Sequence, residues 1–358
     1  MTRQQRKPVA PGTSSRQRAG RWRQDGALYA TVAVFGAIAG LMFRDTSDPD
    51  QSRAALSFVF GAATGALIGL GMLGMHDWFT HRFRDWLRRR PLIIEMTLNG
   101  LAMAVAGVAV QVIVQIVLFD ERLADIVLLL PFDAARSLAL AAVFVTGVHV
   151  VRLIGAGQFV SIMVGRYRRP VEEWRIFLFV DVKGATRLAE QLGPVGVASL
   201  LARFFHDVDE IITDHGGEVH AYVGDAIIVT WPLRSGVADA ACVDCVFAMR
   251  RHMGHLADSY RREFGTVPEF RAALHCGPVV VSEIGLSKEQ VTYFGDTVNV
   301  AARLESYAKQ SNHDVVMSGD LHDRLGPVRA VGIEDLGPVS LRGRDRPVHL
   351  YAVEPQPS

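Results

Sequence analysis

Four apolar runs precede Gly155: Ala27–Phe43, Ala54–Met75, Met96–Phe119 and Leu138–Ile154. Each approaches the ~20 apolar residues that cover a hydrocarbon core, so four membrane spans are expected, the fourth being short and carrying His149. The charges between the runs set their direction. Seven Lys or Arg and no acid precede Asp25, and Arg82, Arg84, Arg88, Arg89 and Arg90 fill the second loop. Asp45, Asp48 and Asp50 mark the first loop; Asp120, Glu121, Asp125 and Asp133 mark the third. Arg166, Arg168 and Arg169 follow the fourth run. Basic loops on one side place both termini in the cytoplasm of a bacterial-type inner membrane. This uneven charge, on a chain of net charge +1, speaks of topology and not of binding to a nucleic acid polymer.

The basic tail before an apolar run, with Ala37-Ile38-Ala39, also has the outline of a cleaved leader. Three further apolar runs and the length of the tail favour spans. The run Ile126–Leu130, ended by Pro131, is too short to span and is expected at the outer interface. Glu95, Gln111, Gln115, His149 and Arg152 are the polar candidates for a transport path. Glu95 and Arg152 sit where snorkelling explains them, and His149 reads most simply as packed between helices.

At 358 residues and 49% hydrophobic, the chain has room for one globular domain beyond the spans. The expected organisation is a basic tail over 1–24, a membrane domain over 25–154, a connecting helix over 155–170 and a cytoplasmic domain over 171–358. GAGQFVSIMVGRYRR turns from apolar to basic before Pro170; it reads as a spacer on anionic lipid or as a signalling helix that pairs with its own copy. Cys242, Cys245 and Cys276 all fall in the cytoplasmic part, so disulfides are not expected. The C-x-x-C pair lies in a helical pattern without a second ligand pair for zinc, and reads as small core residues.

In RIFLFVDVKGATRLAEQLG, the apolar run Ile176–Val180 predicts a buried strand that ends on Asp181, with a glycine turn and a helix following from Thr186 to Thr213. GGEVHAYVGDAIIVTWP predicts a hairpin, Glu218–Tyr222 and Ala226–Trp231, turning at Gly224-Asp225. Further elements are a helix from Gly236 to Phe264, strands over 270–275 and 279–284, a helix from Thr297 to Lys309, and short strands near Val315, Val339 and His349. Interleaved helices with a hairpin predict an α+β, ferredoxin-like fold of the split βαβ type. If the hairpin packs beside the first strand, Asp181 and Asp225 meet at one sheet edge. Two carboxylates suit Mg2+, and the amides of Gly184, Ala185 and Thr186 are donors for a polyphosphate. Asn299 and Arg303, at i and i+4 in GDTVNVAARLES, share one helix face. Each signal alone has a plain structural reading; their combination points to phosphoryl chemistry.

FVDVKGATRLAEQLG, HGGEVHAYVGDAIIVTW, RAALHCGPVVVSEIG, YFGDTVNVAARLES and LGPVSLRGRDRPVHLYAV together resemble the class III nucleotide cyclases, the adenylate and guanylate cyclase catalytic domain, over almost all of residues 174–354. The resemblance does not reach the membrane half. It implies two Mg2+ or Mn2+ ions held by Asp181, Asp225 and the Val182 carbonyl, with Asn299 placing the ribose and Arg303 stabilising phosphate charge. It implies ATP as substrate and a homodimer, because such sites form between two catalytic domains. Ala221 stands where adenylate cyclases often carry Lys, while Thr292 is a familiar partner at its position. The Glu and the Cys or Ser of guanylate cyclases are absent from these places. Arg342 stands near the family's phosphate-binding Lys, with Arg344 and Arg346 as alternatives. A receptor module with a decayed site is the competing expectation, motivated by Ala221.

Overall fold

The computed structural model describes residues 36–38, 51–83, 86, 90–119, 123–285, 289–311, 313–326, 331–344 and 346–355. The chain divides into two compact units, Met1–Ala156 and Gly157–Ser358.

Three long helices are described in the first unit: α1 (Gln51–Arg82), α2 (Leu92–Phe119) and α3 (Leu123–Ile154). Ile68, Met72, Met103, Ala104, Ala141 and Val145 form their shared apolar cluster. Two polar contacts join the helices. Asn99 Nδ2 lies 2.7 Å from His76 Nδ1, and His149 Nε2 lies 3.7 Å from Glu95 Oε1. His149 is buried, with Nδ1 2.8 Å from the Val145 carbonyl. Among the described residues, Leu92–Val117 and Val127–Val151 are long and apolar enough to cross a membrane. The first apolar run, Ala27–Phe43, lies outside the described residues apart from 36–38. Ile126–Leu130 is not a separate interfacial piece, because α3 continues through Pro131. Proline forfeits one backbone bond there, but apolar residues on both sides favour an unbroken helix.

The second unit starts with α4 (Ala156–Val164), shorter than the expected connecting helix, and a turn over 165–169. Then follow β1 (Val171–Val182), α5 (Ala185–Asp214), β2 (Glu218–Val223), β3 (Ala226–Pro232), α6 (Leu233–Val237), α7 (Ala241–Phe264) and β4 (Phe270–Ile284). The sheet order β2-β3-β1-β4, antiparallel throughout, is that of a ferredoxin-like fold. The remaining elements are β5 (Gln290–Phe294), α8 (Asp296–Gln310), β6 (Val315–Ser318), α9 (Gly319–His322), β7 (Val331–Val339) and β8 (Val348–Pro355). They extend the sheet as β4-β6-β8-β7, with β6 parallel to β4, while β5 pairs with the second half of β4.

β1 is buried on both faces, and alternation sorts its side chains between two cores. Ile176, Leu178, Val180 and Val182 join Phe204, Val208, Ile212, Met249 and Tyr260 from α5 and α7. Phe177 and Phe179 join Val300, Ala301, Leu304 and Ala308 from α8. Asp181, in odd register, therefore belongs to the α8 face.

Three expectations change. The helix expected from Gly236 to Phe264 begins at Ala241, because Asp239 and Ala240 hold positive φ and break it. α5 is interrupted at Gly193, before Pro194. The two strands expected over 270–284 are one. Gly277-Pro278 reads as a break, yet it falls where the second edge of β4 lies between its partners β6 and β5, so the missing N–H of proline costs no ladder bond. Cys242, Cys245 and Cys276 are buried free thiols, and burial pushes Cys242 up to about 12 and Cys276 up to about 11.

Candidate active site

The hairpin lies against β1 and brings the two aspartates to one end of the sheet. Asp181 pairs with Ala226, and the Val182 amide donates to the Asp225 carbonyl at 3.2 Å. The loop Gly224-Asp225 between β2 and β3 is two residues long, and its first residue has φ 61°, which glycine accepts without strain. The backbones of both residues are thus fixed at that end.

Asp181 is only 3% exposed. Burial raises its carboxyl above the usual range, and contact with Lys309 offsets part of that rise. Lys309, in the last turn of α8, places Nζ 2.9 Å from Asp181 Oδ1 and 2.6 Å from Glu305 Oε1. Burial acts to lower the Lys309 ammonium, but the two carboxylates outweigh it and lift the group to about 12. A donor set made of carboxylate oxygens at the tip of a rigid strand fits a hard divalent cation. Beside it, α5 starts at Ala185 after Gly184, whose side-chain-free N-cap leaves the first amides of the helix to an outside acceptor. Gly184, Ala185 and Thr186 thus form the start of α5, three to five residues beyond Asp181.

Asn299 and Arg303 share α8, and the structure does not bring them to the aspartates. Thr297 Oγ1 donates to the Pro278 carbonyl at 2.7 Å and pins the start of α8 there. Pro278 pairs with Trp174, the far end of β1 from Asp181. At ~3.3 Å per residue, the seven residues from Trp174 to Asp181 span about 23 Å. Along α8, Arg303 and Asn299 precede Lys309 by about 9 and 15 Å at ~1.5 Å per residue. The Arg303 guanidinium instead lies beside Gly343, at the turn where Arg344 Nη2 sits 3.4 Å from Asp296 Oδ2. Arg342 and Arg346 in that turn are exposed. One chain therefore carries an acidic half-site at one end of α8 and a polar, basic half-site at the other.

Ala221 and Thr292 lie on β2 and β5. A β-bulge sets two residues of β2, His220 and Ala221, against Ile228 alone, whereas strict alternation separates their faces. The His220 ring stands edge-on to Tyr293 at 4.9 Å, next to Thr292, and burial lowers its pKa. Sequence reading missed His220 for this reason. It also missed Lys309 and Glu305, whose i, i+4 spacing reads as an ordinary surface ion pair. A third group without a signal is Arg175, 5% exposed, whose Nη2 donates to the Tyr167 hydroxyl at 3.1 Å and whose guanidinium lies 5.5 Å from the Tyr293 ring centre.

Residues 170–355 match the family model described as the adenylate and guanylate cyclase catalytic domain. Adenylate cyclase 2 of Rhizobium meliloti (strain 1021) is 42% identical over 217 residues, 61% of this chain and 60% of that protein. Adenylate cyclase 1 of the same organism is 30% identical over 183 residues, 49% of this chain and 27% of that protein. The chain thus spans less than two thirds of the length of either relative. A solved bacterial light-regulated adenylyl cyclase shares the fold, with a TM-score of 0.52 at 21% identity over 63% of this chain and 65% of that one. The matched segment holds β1 through β8 together with both halves of the divided site, and by it the chain belongs to the adenylate and guanylate cyclase catalytic domain family.

Proposed function

We propose that this protein is a membrane-anchored adenylate cyclase that converts ATP to 3′,5′-cyclic AMP and pyrophosphate at sites shared by two copies of the chain. Catalytic domains of the family bind a nucleotide substrate, use divalent metal ions and function as dimers. The observation that carries the reading for this chain is the separation of the two half-sites along α8. A head-to-tail pair related by a two-fold axis lays the Asp181 end of one α8 near the Arg303 end of the other, making two equivalent sites.

In such a site Asp181 and Asp225, with the Val182 carbonyl, would hold two Mg2+ or Mn2+ ions, which when bound would supply positive charge toward the triphosphate and the ribose 3′-hydroxyl. The amides at Gly184, Ala185 and Thr186 orient the phosphates. Asn299 of the other copy positions the ribose for attack on the α-phosphate. Arg303 of that copy stabilises the charge that builds as pyrophosphate leaves. Arg342 is the proposed phosphate contact of the basic turn, with exposed Arg346 as its alternative, while Arg344 is engaged by Asp296.

The membrane reading is supported by two long apolar helices on which Val105, Val127, Phe132 and Val143 are exposed, surface that lipid covers. The proposed organisation is a tail over 1–24, four spans over 25–154, a connecting segment over 155–170 and a cytoplasmic catalytic domain over 171–358. Holding two copies in one membrane raises their local concentration. Ala221 supports a second reading, a nucleotide-binding module with weak or no turnover, or one that accepts GTP, because it offers the purine no hydrogen bond.

Purified full-length protein with Mn-ATP and, separately, Mn-GTP decides between these, with Asp225→Ala as control. Cyclic AMP formation at least ~10³-fold above the variant supports the proposal. Equal traces in both proteins favour the inactive module, and preferential cyclic GTP would make it a guanylate cyclase.

A further inference from the structure

We propose that Lys309 is a built-in competitor for the metal site, a tethered cation that a divalent ion must displace and that thereby sets the enzyme's metal affinity. The inference rests on the assignment of Asp181 and Asp225 as metal carboxylates. Lys309 Nζ contacts Asp181 Oδ1 at 2.9 Å, the atom type and position a divalent ion would take. The contact is made within one chain, because Lys309 and Asp181 both lie on the α8 face of the sheet. It is also retained by Glu305, one turn back on the helix, 2.6 Å from the same ammonium.

The asymmetry of exposure shows how the exchange works. The Asp181 side chain is 4% exposed and fixed by strand pairing, while the Lys309 side chain is 45% exposed. The carboxylate stays and the ammonium can swing to solvent. Lysine suits this role because its charge rides on a flexible four-carbon stem. Glu305, 13% exposed, then keeps Lys309 near the site as a counter-charge after displacement. Without such a cation, Asp181, Asp225 and Glu305 would leave three carboxylates in one region without neutralisation, so Lys309 also stabilises the fold before metal arrives.

The test uses the full-length chain in detergent and reads Mn2+ binding directly by electron paramagnetic resonance of free Mn2+, with no turnover required. Lys309→Met keeps the apolar stem and removes the charge. It should bind Mn2+ roughly five- to tenfold more tightly than the native chain, as expected from losing one partly exposed ion pair and one like charge beside the metal. Lys309→Arg should stay within about twofold of native, since it restores the charge. In chelator, Lys309→Met should melt earlier than native and gain more on adding Mn2+. Unchanged or weaker Mn2+ binding in Lys309→Met would overturn the inference, as would equal tightening in Lys309→Arg. Asp225→Asn separates the two levels. If it abolishes Mn2+ binding while Lys309→Met equals native, the metal assignment stands and the competitor fails. If Asp225→Asn leaves binding intact, or no variant binds Mn2+, both fail.

Discussion

The two ends of α8 differ in almost every chemical respect. At its C-terminal end the surroundings are acidic and braced by backbone pairing, with buried Asp181 and Glu305 holding one ammonium and Asp225 at the same end of the sheet. At its N-terminal end they are polar and basic, with exposed Asn299, Arg342 and Arg346 and half-buried Arg303 and Arg344. In the proposed site one half holds cations and the other meets phosphate. Neither holds the complement it needs, and about 9 to 15 Å of helix keeps them apart within one chain.

The sharpest way to break this contrast is to remove its charged groups. Arg303→Ala should lower kcat by about 10²- to 10³-fold with Mn2+ binding unchanged, because it strips stabilisation from the phosphate end only. Mixing Asp181→Ala chains with Arg303→Ala chains should restore up to about a quarter of native activity, since half of randomly formed two-fold dimers are mixed and each keeps one intact site. No recovery, with mixing verified by pull-down of a tagged copy, would mean that each chain builds its site alone.

Smaller effects test how α8 is held. A Cβ at Gly277 would come 2.5 Å from Thr297 Oγ1, so Gly277→Ala should push the start of α8 from the sheet. A stability loss of about 2 kcal/mol by chemical denaturation is expected, with activity falling more than Mn2+ affinity because the far end of the helix is still anchored. His275 offers the mildest probe. It is buried on β4 opposite Phe177 with Nδ1 2.7 Å from Ser318 Oγ, and burial pushes its pKa from the ordinary 6.5 down to about 4. Its folded pKa is depressed, so its contribution is complete above pH 6.5 and fades as pH falls toward 4. Roughly 2 kcal/mol should be gone by pH 5, a loss that His275→Asn should blunt in melts at pH 7 and pH 5.

Much of this was legible in the sequence for definite reasons. A run buried on both faces must be an inner strand, so Asp181 at its tip was visible, and Gly224-Asp225 announced the hairpin that pairs with it. Asn299 and Arg303 were visible as a helix stripe. Long-range placement was not: no local pattern says that Thr297 fastens to Pro278 or that Lys309 reaches Asp181. The bulge at His220 was hidden because inserting one residue reverses the alternation that sequence reading relies on. β5 was missed because it is five residues long. Pro131 misled in the other direction, since it reads as a stop yet lies inside one continuous helix.

α8 is one uninterrupted rod from Asp296 to Gln310. In the proposed dimer each such rod has a foot in both reaction centres, so sliding it by a fraction of a turn would tighten one centre while loosening the other.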